Sequence, residues 1–416
     1  MKARETGVPA EAGPAFAGTP GLHVAFLLDD LTQGGVQRMT LALAESLQAE
    51  GYRVDLLLCR REGSLLDAVP HGVRVLRLAR AGDLRSRVLL WRAAPRAAPL
   101  WAQRRLPWVL RRAPALRRYL RTECPDVLFA AKPWTNLAAI CAVQGLAGRP
   151  RLVIGERTRL SERVRARPRL RALPGLVRAL YPRADAIIAV SHGVAEDLDA
   201  LLRGAARAQV VYNPAFRPQL LVESLQQSGE PWLDTPDRPV LLAVGALTRQ
   251  KDYPTLLEAF ALLRARQPAR LVIAGEGKER KRLEALVVRL GLQDDVRLAG
   301  EVCHPAAWMA RASVFVLASR YEGFGNVLVE ALACGCRIVS TDCPSGPAEI
   351  LAAGRYGWLV PVADPAALAD ALAEALQAPA PGSGHLERAR EFSVRRAQQA
   401  YLAAAFAAPA TVTRNA

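Results

Sequence analysis

No stretch of this 416-residue chain reaches the roughly 18 uninterrupted apolar residues that a membrane-spanning helix requires. Residues 1–20 carry charge and proline but no apolar core of a signal peptide, and are expected to form a disordered leader. Histidines number five and cysteines seven, the latter at positions 59, 124, 141, 303, 334, 336 and 343, with no Cys-x-x-Cys pair and no His cluster. That scatter argues against a zinc site or a disulfide framework and for buried thiols in a reducing compartment. The opening strand–helix turn lacks Gly-x-Gly-x-x-Gly, which disfavours a nicotinamide enzyme, and no Asp-x-Asp motif serves a metal. Aromatic residues make up only 6%, so leucine, valine and alanine must fill the cores; the 51% apolar content suffices for two or three domains. Lysine is scarce too, with five against 51 arginines.

What is abundant is positive charge, +17 in all, and it is uneven. Between Arg80 and Arg121 stand twelve arginines and one acid, Asp83, for a local charge of +11. Interleaved with them are Trp91, Trp101, Trp108, Leu89, Leu90, Leu100, Leu106, Leu110 and Leu116. Residues 159–183 add eight arginines against Glu162. Arginine mixed with tryptophan and leucine fits a helix lying in an anionic membrane interface. A solvated arginine-rich face and a nucleic-acid surface use the same ingredients. No nucleic-acid motif accompanies the charge, so no such partner is expected. Without a span, the basic patch points to a cytoplasmic enzyme held peripherally on the inner face of the membrane.

Apolar runs alternate with amphipathic stretches, which predicts an α/β fold on parallel sheets. Strands are expected at Leu22–Leu28, Tyr52–Leu58, Val73–Leu78, Val127–Ala130, Leu152–Gly155, Ala186–Val190 and Gln209–Tyr212, with a helix over Val36–Ala49. A Pro-rich polar stretch, residues 213–239, divides an N-terminal domain (21–212) from a second domain (240–385). The second has strands near 240, 271, 296, 314, 337 and 358. After a break at Pro379–Gly384, residues 386–416 contain a terminal helix, Leu386–Phe406, and a tail.

The richest motif is Ser319-Arg-Tyr-Glu322-Gly323-Phe324-Gly325-Asn326-Val-Leu-Val-Glu330. It runs from a buried strand through a glycine-bearing turn into a helix, and such a turn makes an anion site of its amides and the helix dipole. Glu322 at its mouth and Glu330 on the first helical turns suit the hydroxyls of a sugar or ribose, because a carboxylate accepts two hydrogen bonds at once. Phosphate on the amides and hydroxyls on the carboxylates together describe a sugar nucleotide. A second strand ends at Gly245, and its loop carries Arg249 and Lys251, two cations to neutralise a diphosphate at the C-terminal edge of a sheet. Leu271-Val-Ile-Ala-Gly-Glu-Gly-Lys278 is another strand-then-glycine edge at the spacing of a βαβ unit. In the N-terminal half, Gly34-Gly35 could let backbone approach a phosphate across an interdomain cleft, or simply start a helix.

These residues resemble the family 4 retaining glycosyltransferases, over about residues 21–405. The Glu-x7-Glu motif of that family is matched by Glu322 and Glu330, and its Gly-Arg-Leu…Gln-Lys motif in part by Gly245-Ala246-Leu247…Gln250-Lys251. Gly34–Arg38, Ala189–Asp197 and Ser340–Ile350 resemble further family segments, the last in members that build lipid-linked or surface polysaccharides. The resemblance implies two facing Rossmann-like domains (the GT-B fold) with the terminal helix returning to the N-domain. It implies hexose transfer from a nucleotide sugar, expected to be a UDP-sugar, to a membrane-associated glycan or lipid-linked acceptor, with retention and with neither metal nor cofactor. Glu322, Arg249 and Lys251 then serve catalysis. Gly245, Gly323, Phe324, Gly325, Asn326, Glu330 and His304 bind the donor, and Gly34, Gly35, Glu156 and Arg157 line the acceptor cleft. The chain departs from the family at Ala246, where an arginine is usual, and Arg249 is expected to supply part of the missing charge. A membrane-binding scaffold with a degenerate donor site and a UDP-sugar epimerase on the same fold are the alternatives.

Overall fold

The computed structural model describes residues 21–407, except 33, 94 and 96–105. The leader 1–20, the tail 408–416, Leu100, Trp101, Arg104 and Arg105 therefore lie outside the described residues.

Two all-parallel sheets carry the chain. The first holds β1 (His23–Leu28), β2 (Arg53–Leu58), β3 (Arg74–Arg77), β4 (Val127–Ala131), β5 (Arg151–Glu156), β6 (Ala186–Ala189) and β7 (Gln209–Val210), in the order β3-β2-β1-β4-β5-β6-β7. The second holds β8 (Val240–Val244), β9 (Arg270–Ala274), β10 (Val296–Gly300), β11 (Val314–Leu317), β12 (Ile338–Thr341) and β13 (Trp358–Val360), in the order β10-β9-β8-β11-β12-β13. The central strands are buried along nearly their whole length, as helices on both faces require, and that is why they read as unbroken apolar runs. In each sheet the order reverses beside the first strand, so a crevice opens at the C-terminal ends there, where ligands of such sheets bind. The loops after β1, β5, β6 and β7 and those after β8, β11 and β12 supply the site described below.

Between the sheets, residues 213–239 are more structured than a plain connection, with short helices at Gln219–Ser224 and Pro231–Asp234. Glu230 there pairs with Arg297 of β10. The expected terminal helix is two helices, Gly384–Arg390 and Val394–Phe406. The chain breaks between them because Phe392 turns inward, edge-on to Tyr212 and Phe324 at 5.4 and 5.3 Å. The second helix returns to the N-terminal sheet. Tyr401 packs on Phe129 with ring centroids 5.5 Å apart, and Gln398 donates to Glu50 Oε2 at 2.6 Å.

The basic segment differs from the expected interfacial helix. Leu90, Leu106, Leu110 and Leu116 are buried in the N-domain core, with Leu89 packed against it. On the helix Asp83–Ala93 one apolar stripe faces outward: Leu84 at 75% exposure, Val88 at 41% and Trp91 at 56%. Their i, i+4, i+7 spacing puts them on a single face. Trp108 lies under Arg60, with the guanidinium 4.3 Å from the ring centroid.

Candidate active site

β11 feeds the turn 318–325, and the eight-residue helix Asn326–Ala333 follows. Gly325 closes the turn at φ 99°, a left-handed conformation that glycine adopts without steric cost. Among the described residues no hydrogen bond occupies the N–H groups of Gly323, Phe324, Gly325 or Asn326. Four free donors at a helix start are a geometry that can receive an anion.

Glu322 sits buried at the mouth of the turn. Its Oε1 accepts from Ser319 Oγ at 2.7 Å and from Lys251 Nζ at 2.6 Å. Lys251 comes from the loop after β8, so the two motifs read separately in the sequence meet in one ion pair. Gln250 ties the same loops together through Tyr321 O at 2.9 Å. Gly245 stands behind Lys251; with φ 156° and an added Cβ only 3.1 Å from Lys251 Cε, the position suits glycine alone.

Glu330 lies on the helix itself. Its carboxylate has no hydrogen bond or ion pair among the described residues. Burial raises its pKa from 4.5 to about 7, against the pull of Arg217 and Arg38. An unpartnered, half-buried carboxylate on the helix of an anion cradle fits a ligand with paired hydroxyls, since it lacks only donors.

The N-terminal sheet closes over this turn. The helix Gly35–Ala49 begins at Gly34-Gly35, and an added Cβ on Gly35 would lie 3.5 Å from Asn326 Nδ2, so two helix N-termini face one another. Arg157, after β5, donates to Asn213 Oδ1 at 3.1 Å and to Tyr401 Oη, and Asn213 Nδ2 donates to Asn326 Oδ1 at 2.9 Å. A Cβ on Gly323 would lie 1.8 Å from the Arg157 carbonyl oxygen, so only glycine permits this approach. Ser191 Oγ donates to Gly323 O at 2.7 Å, and Glu349 accepts from the His192 and Gly193 N–H groups at 2.9 and 3.3 Å.

Other expected residues stand elsewhere. Arg249 is 86% exposed and its Nε lies 3.7 Å from Glu279 Oε1, so it does not face the Lys251–Glu322 pair. The Phe324 ring is buried and stacked on Tyr212 at 5.4 Å, which leaves only its backbone to a ligand. His304 is exposed at the start of the five-residue helix Pro305–Met309, beyond edge strand β10, and touches none of the others. Glu156 points into the core. Its Oε1 accepts from Tyr181 Oη and from Asn136 Nδ2 at 3.0 Å, its Oε2 has no partner, and burial raises its pKa from 4.5 to about 7. Sequence reasoning missed Asn213, Gln250 and Ser319. Asn213 carried one signal, its place directly after a strand end and before a proline.

Two reversed-order parallel sheets facing across a cleft, with an anion cradle and two glutamates on one side, define a GT-B glycosyltransferase. The signature described as Glycosyltransferase Family 4 matches residues 33–215, and that described as Glycosyl transferases group 1 matches residues 238–378. The chain is 32% identical over 270 residues to the N-acetylgalactosamine-N,N'-diacetylbacillosaminyl-diphospho-undecaprenol 4-alpha-N-acetylgalactosaminyltransferase of Campylobacter jejuni, spanning 64% of this chain and 71% of that one. It therefore belongs to the family 4 glycosyltransferases. The fold matches sucrose-phosphate synthase from Thermosynechococcus elongatus (TM-score 0.67, 20% identity, 92% and 96% of the two chains). It matches Anabaena HepE in complex with UDP-glucose similarly (TM-score 0.64, 19% identity, 92% and 95%).

Proposed function

We propose that this glycosyltransferase moves a hexose from a UDP-sugar to a lipid-linked or membrane-associated glycan in surface polysaccharide synthesis, with retention and without a metal. The observation that carries the reading is the grouping of Lys251, Glu322 and the free amides 323–326 at one turn, with the unpartnered Glu330 on the helix that leaves it. The glycosidic bond to the donor diphosphate breaks while a bond forms from the anomeric carbon to the acceptor oxygen, and the acceptor proton passes to the departing diphosphate. Charge grows on that diphosphate, and Lys251 with the turn amides would stabilise it without a metal ion. Glu330 holds the ribose hydroxyls. Glu322 positions Lys251 and contacts the donor sugar or its phosphate. Arg249, facing solvent, has the smaller share. Two relatives support donor and acceptor: the HepE complex contains UDP-glucose, and the Campylobacter enzyme is a transferase of a diphospho-undecaprenol glycan.

No helix among the described residues is long and apolar enough to cross a membrane. The Leu84–Val88–Trp91 stripe, flanked by arginines, is the surface through which the enzyme would rest on the inner face of an anionic membrane.

The test is labelled transfer from a panel of UDP-sugars to a lipid extract, with and without EDTA, and the anomeric configuration of the product read by NMR. Chelator-insensitive transfer with retention is expected. An absolute requirement for manganese or magnesium, an inverted product, or conversion of the UDP-sugar to its epimer without transfer would defeat the proposal.

A further inference from the structure

Outside the donor site the molecule has a second concentration of uncompensated charge. Arg60 follows β2, Arg77 ends β3, Arg80 lies just beyond it, and Arg112 closes the 3-10 turn Trp108–Arg112. The backbone brings these pieces together: the Ala81 N–H donates to Arg111 O at 2.9 Å, and the Arg60 N–H to Asp29 O at 2.8 Å. All four arginines therefore stand at the C-terminal edge of the N-terminal sheet, the edge that faces the cleft. Arg60 links them to it through Asp30, with which it pairs at 2.9 Å, and Asp30 Oδ1 in turn accepts from Thr32 and from Gln37 on the Gly34–Gly35 helix.

Only Arg60 among the four has carboxylate partners, Asp30 and Glu62. The side chains of Arg77, Arg80 and Arg112 have no hydrogen bond or ion pair among the described residues. The Nε atoms of Arg112 and of neighbouring Arg111 are shut away from solvent with no acceptor. Burying a guanidinium donor unpaired is costly unless a ligand completes it. Burial lowers the pKa of Arg112, and the like charges of Arg77, Arg80 and Arg60 lower it further, a repulsion that a bound anion would relieve. Beside the cluster stands the helix Asp83–Ala93, whose outward stripe is Leu84, Val88 and Trp91.

We infer that Arg77, Arg80 and Arg112, with Arg60 at their edge, bind the diphosphate of a polyprenyl-diphosphate-linked acceptor, while the neighbouring stripe meets the lipid that carries it. Three unpaired guanidiniums exceed what a single phosphodiester needs and suit the adjacent phosphates of a diphosphate, each oxygen pair taking a fork of N–H donors. The cleft-facing edge and the membrane-facing helix meet at this cluster. A chain anchored here would project its glycan toward the donor turn, while its prenyl tail remains in the bilayer. The inference rests on the lipid-linked reading of the acceptor given above.

The test is direct binding of farnesyl diphosphate to the full chain by calorimetry, with UDP saturating the donor site. The triple variant Arg77→Ser/Arg80→Ser/Arg112→Ser should keep the wild-type melting temperature and UDP affinity. It should bind farnesyl diphosphate at least about tenfold more weakly, the loss expected for one charge-assisted contact. Inorganic pyrophosphate should compete in the wild type, and farnesyl monophosphate should bind more weakly than the diphosphate. Wild-type affinity in the variant, or equal affinity for the mono- and diphosphate, would overturn the assignment. So would phosphatidylglycerol vesicles that displace farnesyl diphosphate fully, because the cluster would then be a bilayer-phosphate site. Loss of UDP binding with diphosphate binding intact would strike the donor reading and leave this one standing.

Discussion

Glu330→Gln should make the protein more stable and a worse binder of UDP at once. Among the described residues this half-buried carboxylate has no donor, and burial raises its pKa from 4.5 to about 7. For an acid with a raised native pKa, the native state binds more protons than the unfolded state between those two values. Stability from this group therefore falls as pH rises from 4.5 to about 7 and is level above it. At about 1.4 kcal/mol per unit, the ionised side chain costs the empty enzyme at most about 3 kcal/mol above pH 7 and almost nothing below 4.5. Glutamine is neutral throughout, so the difference between variant and wild type isolates this group from others such as Glu156. Thermal melts at pH 4.5 and pH 8 should show no gain at the first and a clear gain at the second. UDP reverses the sign. Ribose hydroxyls donate to the ionised carboxylate, so UDP affinity should rise with pH toward 7 and binding near pH 6.5 should release a proton. That release is measurable by calorimetry in buffers of different ionisation enthalpy. The variant should lose about 1.5–3 kcal/mol of UDP binding, the worth of one charged hydrogen bond, along with the proton release. A variant that binds UDP as well as the wild type, or melts lower at pH 8, would remove Glu330 from the ribose site.

Lys251→Ala should lower turnover about 10²–10³-fold, because it removes the cation closest to the developing diphosphate charge, whereas Arg249→Ala should cost less than about tenfold. Steady-state transfer assays separate the two, and equal losses would show that Arg249 swings inward on binding. Replacing Leu84, Val88 and Trp91 together with serine should release the enzyme from anionic vesicles even at low salt, since apolar insertion is not screened. Flotation unchanged in that variant would leave the arginines as the only contact. Gly323→Ala should separate donor from acceptor chemistry. Its Cβ would lie 1.8 Å from the Arg157 carbonyl oxygen, so the turn must move from the N-domain. UDP affinity should then survive better than transfer, and a fully active variant would show that the close approach is dispensable.

Much of the architecture was legible because buried parallel strands leave a plain signature. The runs at Val240–Val244 and Val314–Leu317 are apolar on both faces and stop at turn residues. The geometry of the turn 318–325 was legible for a related reason: its glycines and glutamates are contiguous, so local spacing carries it. What spacing could not carry was direction. Arg249 and Lys251 are two residues apart in one loop, yet Lys251 meets Glu322 and Arg249 faces Glu279. Tryptophan and leucine among arginines resembled one interfacial surface. Helical periodicity sends Leu90 inward and Leu84, Val88 and Trp91 outward, and among the described apolar residues of the segment these three and Trp108 are exposed. The break after Arg390 was hidden as well, because it depends on Phe392 finding two aromatic partners from distant segments. Asn213 belongs to the same class, since its partners Arg157 and Asn326 are 56 and 113 residues away.

The helix Val394–Phe406 sets the order in which the molecule can be finished. Ala397, Tyr401, Leu402, Ala404 and Ala405 are buried in the same apolar cluster as β1, β2 and the helix Gly35–Ala49. Gln398 reaches Glu50 across 348 residues of sequence. The first sheet leaves the ribosome long before the helix that completes one of its faces, so that face stays open while the second sheet is being made. Closing so long a loop is slow but adds little equilibrium penalty, since the entropic cost grows only logarithmically with length. The waiting face exposes Phe26 and Phe129 to solvent or to a chaperone until Tyr401 arrives. A chain arrested or truncated before Val394 would therefore carry two nearly complete sheets and still be unable to seal the first.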